Sequence, residues 1–188
     1  MTDSLIAPLG RARFIVTLPP EPSLVGAELQ RLAGASFTTL TATNDAFQHL
    51  AQKAESRIVI MTPYIDAAGA IWATEIFNAS RASKRILILK DSSELNKFGV
   101  YGETLRQAAT KIFDYTIEHA NNDSRYNETF HAKVVLADGV AAYVGSANFL
   151  YRSKEVNLEC GFLLEGDAVA PIAVLVEAVL SIFTNAEK

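Results

Sequence analysis

The chain has 188 residues, 49% hydrophobic and 20% charged, the balance of an ordinary globular domain, which excludes disordered and collagen-like architectures. Its net charge is −4, which argues against a general nucleic-acid glue. Residues 157–188 carry five acidic residues and one basic, whereas the remaining 156 carry sixteen of each, so a positive groove outside the tail is permitted. A single cysteine, Cys160, excludes an intrachain disulfide and a multi-cysteine metal site.

Residues 1–10 are too short and too polar for a secretory leader. Residues 13–18 (RFIVTL) read as a strand ended by Pro19 and Pro20, 24–33 as a short helix, and Asn44 as the cap of a second helix reaching about Ala54. Residues 57–62 (RIVIMT) form a buried strand stopped by Pro63, 68–83 a helix with Trp72 in its core stripe, 85–90 (RILILK) a second buried strand, and 102–110 a helix. Strands followed by crossover helices imply a largely parallel sheet covered on both faces. A polar loop spans 119–129. Then 130–137 and 140–145 flank Asp138-Gly139, a strong hairpin signal, with a third strand at 157–164. The last apolar stretch, 168–183, is interrupted by Pro171 and Glu177 and falls short of the about 20 residues of a spanning helix. It reads as a buried or interface helix of a cytoplasmic protein with no stable membrane insertion. The expected class is α/β, a mixed, largely parallel sheet sandwiched between helices.

The hairpin gathers chemistry. Residues two apart in a strand share a face, so His131 and Lys133 point the same way. With Asp138-Gly139 as a two-residue turn, His131 lies across from Ser146, with Asn148 just beyond; a bulge would move that register by one. Asp138 sits in the turn at the far end, roughly 20 Å along the strand from His131, and reads as a structural turn residue.

His131-Ala132-Lys133, Asp138 and Gly145-Ser146-Ala147-Asn148 together resemble the HxKxxxxDxxxxxxGSxN motif of the phospholipase D superfamily, with the spacing matched without a gap. Asn157-Leu158-Glu159 resembles the acidic segment that follows it in that family. The element order from about residue 44 onward is compatible with that family's α/β/α fold. Residues 1–188 are read as one such domain, with 44–188 as its core and 1–40, which match nothing in the family, as an N-terminal extension.

The resemblance implies phosphodiester cleavage without a metal or other cofactor. One histidine attacks phosphorus to form a phosphohistidine, a second protonates the leaving oxygen, and water releases the product. His131 is the nucleophile, and Lys133, Ser146 and Asn148 are donors to the nonbridging oxygens. Glu159 is expected to hold the imidazole's other nitrogen; an inward acid on an apolar strand needs a partner. The other histidines, His49 and His119, lie in unlike contexts: His49 reads as a surface or packing residue, and His119 with Asp123 is a weak metal pair. Two copies of the single motif must therefore meet, which predicts a homodimer with one His131 from each subunit. Cys160 reads as core.

Small single-motif members of the superfamily are mostly nucleases, so the expected substrate is DNA or RNA. Arg125, Arg152 and Lys154 flank the motif as phosphate-binding candidates, with Lys97 and Lys111 further off, and Tyr126, Phe149 and Tyr151 are candidate rings for stacking on bases, though aromatics flanking a hairpin more often serve packing. The alternatives are a lipid phosphodiesterase and a nucleic-acid-binding subunit of a larger defence or restriction assembly. The intact His-Lys-Ser-Asn set argues against a binding-only role.

Overall fold

The computed structural model describes residues 10–33, 42–117 and 127–186; His119, Asp123, Arg125 and Tyr126 fall outside them. The strands are β1 (Arg11–Thr17), β2 (Arg57–Met61), β3 (Lys84–Leu89), β4 (Lys111–Asp114), β5 (Val134–Ala137), β6 (Ala141–Gly145) and β7 (Glu159–Glu165). The helices are α1 (Leu24–Ala33), α2 (Thr43–Lys53), α3 (Ala67–Ala79), α4 (Val100–Ala108), α5 (Tyr151–Glu155) and α6 (Ala170–Ala186), with a 3-10 segment at Ser92–Phe98. The strands form one sheet in the order β1-β7-β6-β5-β2-β3-β4.

The α/β class and the mixed sheet are as expected, but parallel pairing is confined to β2–β3 and β3–β4. The four other pairings are antiparallel. The apolar runs RIVIM and KRILIL lie in the parallel part, where both faces are covered and no alternation is needed. β7 alternates buried and exposed residues because one of its faces is open. β1 pairs with β7 from Arg11↔Glu165 to Thr17↔Glu159. Part of the stretch expected as an extension is thus an edge strand of the sheet.

One face packs under α2, α3 and α4 around Phe47, Leu50, Trp72, Ile76, Phe77 and Leu105. Asn44 does not cap α2, whose N-cap is Ala42 without a side-chain bond; its Oδ1 instead accepts from Trp72 Nε1 at 3.0 Å. The other face packs under α6 through Val176, Val179 and Leu180. Only 22% of the 166–183 window is buried, its mean hydropathy is 1.9, and Val174 and Leu175 stand exposed. Of the two expectations, a buried or an interface helix, full burial is not met: the helix covers the sheet and leaves an apolar side open. Beyond its edge, Phe14 and Phe162 form an exposed ring pair with centroids 5.4 Å apart. Cys160 shares this open face: it is exposed rather than core, because α6 does not reach the β1–β7 side.

The hairpin register differs by one from the two-residue turn. Ala137 pairs with Ala141 and Val134 with Val144, so the loop holds Asp138, Gly139 and Val140. Asp138 (φ 49°) and Gly139 (φ 74°) both adopt left-handed backbone, a conformation glycine takes at little cost. The Asp138 carboxylate accepts from the amides of Glu55 (2.7 Å), Ser56 (3.0 Å) and Arg57 (2.6 Å). It therefore ties the turn to the start of β2, the structural role expected of it.

Candidate active site

Residues 131–133 precede β5 rather than extending it, so the side chains of His131 and Lys133 are free to meet. Lys133 Nζ lies 2.7 Å from His131 Nδ1 and 2.7 Å from the His131 carbonyl oxygen. The histidine is exposed and the lysine is buried, 7% exposed. Burial pushes the Lys133 ammonium below the ordinary lysine range, against the opposing charge of Glu159.

On the far side of the hairpin, Ser146 Oγ donates to Glu159 Oε2 and accepts from the Cys160 amide at 3.1 Å. Asn157 Nδ2 donates to the other Glu159 oxygen at 3.3 Å. Glu159 thus holds Ser146 and stands as a countercharge to Lys133, while the imidazole nitrogen expected for it is taken by the lysine. The register shift and the β6–β7 pairing explain this, since Ser146 and Cys160 face each other across neighbouring strand ends.

Gly145 carries the β6 end through a crowded point. A Cβ there would lie 2.3 Å from Tyr143 Oη and 2.6 Å from the Cys160 carbonyl, so only glycine lets Ser146 follow. Tyr143 is fully buried, and burial pushes its hydroxyl up to about 12. Asn148 is half-buried, and its Oδ1 is buried without a hydrogen-bond partner among the described residues, an orphaned polar atom of the kind that calls for a functional explanation. Its neighbour Phe149 is core rather than a stacking ring. It is 1% exposed and stacks on Phe47 at 5.2 Å and 9°, so it clamps the Ser146–Asn148 segment to the domain.

The basic candidates are dispersed. Lys154 reaches Glu75 at 3.5 Å and lies 5.6 Å over the Trp72 ring, and Lys97 pairs with Glu94 at 2.6 Å. Lys111 covers the Phe113 ring. Arg152 and Tyr151 are exposed on α5. His49 pairs with Glu165 at 3.0 Å, far along the chain from the motif. Among the described residues no three His, Cys, Asp or Glu side chains gather to hold a metal.

One neighbour of the histidine lies far outside the motif. Tyr64 stands nearly perpendicular to His131, ring centroids 5.8 Å apart at 72°. Its loop is pinned to the motif: Thr62 Oγ1 donates to the Tyr64 carbonyl at 3.0 Å, and the Asp66 amide donates to the Phe149 carbonyl at 3.2 Å. The available signal was its place just past the carboxyl end of a buried parallel strand, where α/β sheets open crevices.

Comparison with known proteins bears on the family and the fold. The profile described as "Cardiolipin synthase, PLD-like domain" matches residues 47–180. No curated protein sequence matches the chain. Among solved structures, NucT from Helicobacter pylori is 18% identical, with a TM-score of 0.59, covering 91% of this chain and 97% of that one. The phospholipase D family member Nuc from Salmonella typhimurium is 13% identical, with a TM-score of 0.50, covering 94% and 93%. Phosphatidylserine synthase of Haemophilus influenzae is 14% identical, with a TM-score of 0.53, covering 94% of this chain and 39% of its own. The profile spans most of the chain and the whole of the His131–Glu159 site, and the chain belongs to the phospholipase D-like family of phosphodiester-processing proteins.

Proposed function

We propose that the chain is a metal-independent endonuclease that cleaves DNA or RNA through a phosphohistidine, at a site shared by two copies. The observation that carries this reading is the exposed His131 held at Nδ1 by the buried Lys133, with Ser146 and Asn148 at the same sheet end. An imidazole is nucleophilic and basic near neutral pH. His131 Nε2 attacks phosphorus, the phosphorus–oxygen bond to the leaving alcohol breaks, and His131 of the second copy protonates that alcohol. Water then attacks phosphorus, gives its proton to the second histidine, and the phosphorus–nitrogen bond breaks.

The lysine contact bears on the first step. Attack by Nε2 needs the imidazole proton on Nδ1, whereas an ammonium donating to Nδ1 holds the opposite tautomer. A bound phosphate resolves the conflict by drawing the ammonium to a nonbridging oxygen.

The homodimer reading is supported by the open apolar face. Cys160, whose amide bonds Ser146, shares an open strand face with Phe162, which pairs with the exposed Phe14, and Val174 and Leu175 of α6 are exposed as well. A twofold contact there puts like patches together and brings two motifs close. The nucleic-acid reading is supported by the likeness in fold to NucT and Nuc over more than nine-tenths of this chain. A second reading, phosphatidyl chemistry at a lipid surface, is favoured by the same apolar α6 and by the description of the matching profile.

The test is cleavage of labelled single- and double-stranded DNA and RNA, and of phosphatidyl vesicles, in excess EDTA, with His131→Ala beside the wild type. Nucleic-acid cleavage by the wild type alone, with an acid-labile phosphoryl label trapped on the protein, is the expected result. Cleavage of the vesicles alone would replace it with the lipid reading.

A further inference from the structure

Next to His131, across Tyr64, the surface opens into a cavity of about 670 Å3 over the carboxyl ends of β2, β3 and β4. Phosphodiester chemistry at the histidine has no use for this space. Tyr64 and Leu89 give it apolar wall, while Lys90, Asp91, Glu94 and Asp114 supply polar groups. Its size is that of a small-molecule site.

The lining constrains the occupant. Asp91, Glu94 and Asp114 outnumber Lys90 among the lining groups, and of the three Glu94 is paired with Lys97 at 2.6 Å, so the lining offers a surplus of acceptors and disfavours a second phosphate. The carboxylates are held in place. Asp91 Oδ1 accepts from the Ser93 amide at 2.8 Å, and Asp114 accepts from the Ser92 amide at 2.5 Å and hydroxyl at 3.0 Å. A carboxylate has about four lone-pair sites, so each retains acceptor capacity. Tyr64 is 47% exposed on its pinned loop and does not stack on His131, which leaves a ring face free. A flat, uncharged group with hydrogen-bond donors fits a free aromatic face and a rim of acceptors.

We propose that this cavity is a nucleobase subsite, in which Tyr64 stacks on the base flanking the scissile phosphate and Asp91 and Asp114 accept from that base's amino group. The inference rests on the nucleic-acid reading above. In a nucleotide one sugar separates phosphorus from base, and Tyr64 stands beside the nucleophile, so the two positions are filled by one nucleotide. Adenine, guanine and cytosine carry exocyclic amino donors, whereas thymine and uracil do not. The site therefore prefers amino-bearing bases on one side of the cut.

The experiment is cleavage of single-stranded DNA or RNA randomised around each cut, by wild type, Tyr64→Ala and Tyr64→Phe, with KM and kcat measured on one preferred sequence. The wild type is expected to deplete thymine or uracil at one flanking position. Tyr64→Ala is expected to raise KM about tenfold with kcat little changed, the loss of one stacked base, and to flatten the base distribution, while Tyr64→Phe restores both. An unchanged KM and a flat wild-type distribution would overturn the subsite and leave the nuclease standing. Loss of kcat with a shifted pH profile and unchanged KM would also overturn it, making Tyr64 a positioning residue for His131. Cleavage of choline phospholipids in place of nucleic acid would remove the nuclease reading and the base subsite with it, the ring and carboxylates then receiving a cationic headgroup.

Discussion

Lys133 Nζ grips His131 twice, at Nδ1 and at the backbone carbonyl, each at 2.7 Å. The imidazole is therefore oriented by the next residue but one, and the acidic residue expected to orient it is spent on Ser146. A charged group so buried is a stability cost kept for function.

Lys133→Met is expected to stabilise the fold by roughly 1 kcal/mol while lowering cleavage at least about 100-fold. Burial sets the folded-state value of Lys133 below the ordinary 10.5, so the penalty is present below the folded value and fades as pH rises through it towards 10.5. The stability gain of the variant is thus largest near neutral pH and narrows in alkali. Denaturation of both proteins across that range checks the sign, and a gap that widens with pH contradicts the assignment.

Asp138→Ala is expected to act on stability and not on chemistry. It frees three amides at the start of β2, a loss on the order of 2 kcal/mol, at a point remote from His131. Chemical denaturation reads the first effect and kcat at low temperature the second; a large fall in kcat of folded protein would give Asp138 a direct role.

Gly145→Ala forces a methyl group against Tyr143 Oη and the Cys160 carbonyl. Overpacking of this kind costs roughly 2 kcal/mol, and the displaced β6 end carries Ser146 away from Glu159. Both melting temperature and activity should fall together, in contrast to Asp138→Ala.

Phe162→Asp places a charge in the exposed ring pair with Phe14. The monomer fold should survive, since the ring is not core, while the proposed dimer separates and cleavage is lost. Sedimentation and activity measured on the same sample decide the point; an active monomer would remove the shared-site mechanism.

Glu165 is held below the ordinary carboxylate range by His49 first and Lys53 second. Its contribution is present above the unfolded carboxylate value and is lost as pH falls through the folded one. Glu165→Gln should therefore lower stability slightly near neutral pH and make no difference in strong acid.

The sequence by itself determined the α/β class, the hairpin, the motif spacing and the structural part played by Asp138. These depend on short-range pattern: apolar runs, an Asp-Gly turn and fixed intervals between His131 and Asn148. The tertiary structure alone decided the rest. A third loop residue, Val140, shifted the hairpin by one, and the β6–β7 pairing gave Glu159 to Ser146. The reach of α6 left Cys160 and Phe162 open, while Phe47 and Trp72 drew Phe149 into the core. Tyr64 and the cavity beyond it came to His131 from a strand end far earlier in the chain. Such partners are chosen by which surfaces pack together and by which polar groups must be satisfied once buried, and neither is written in the spacing of neighbouring residues.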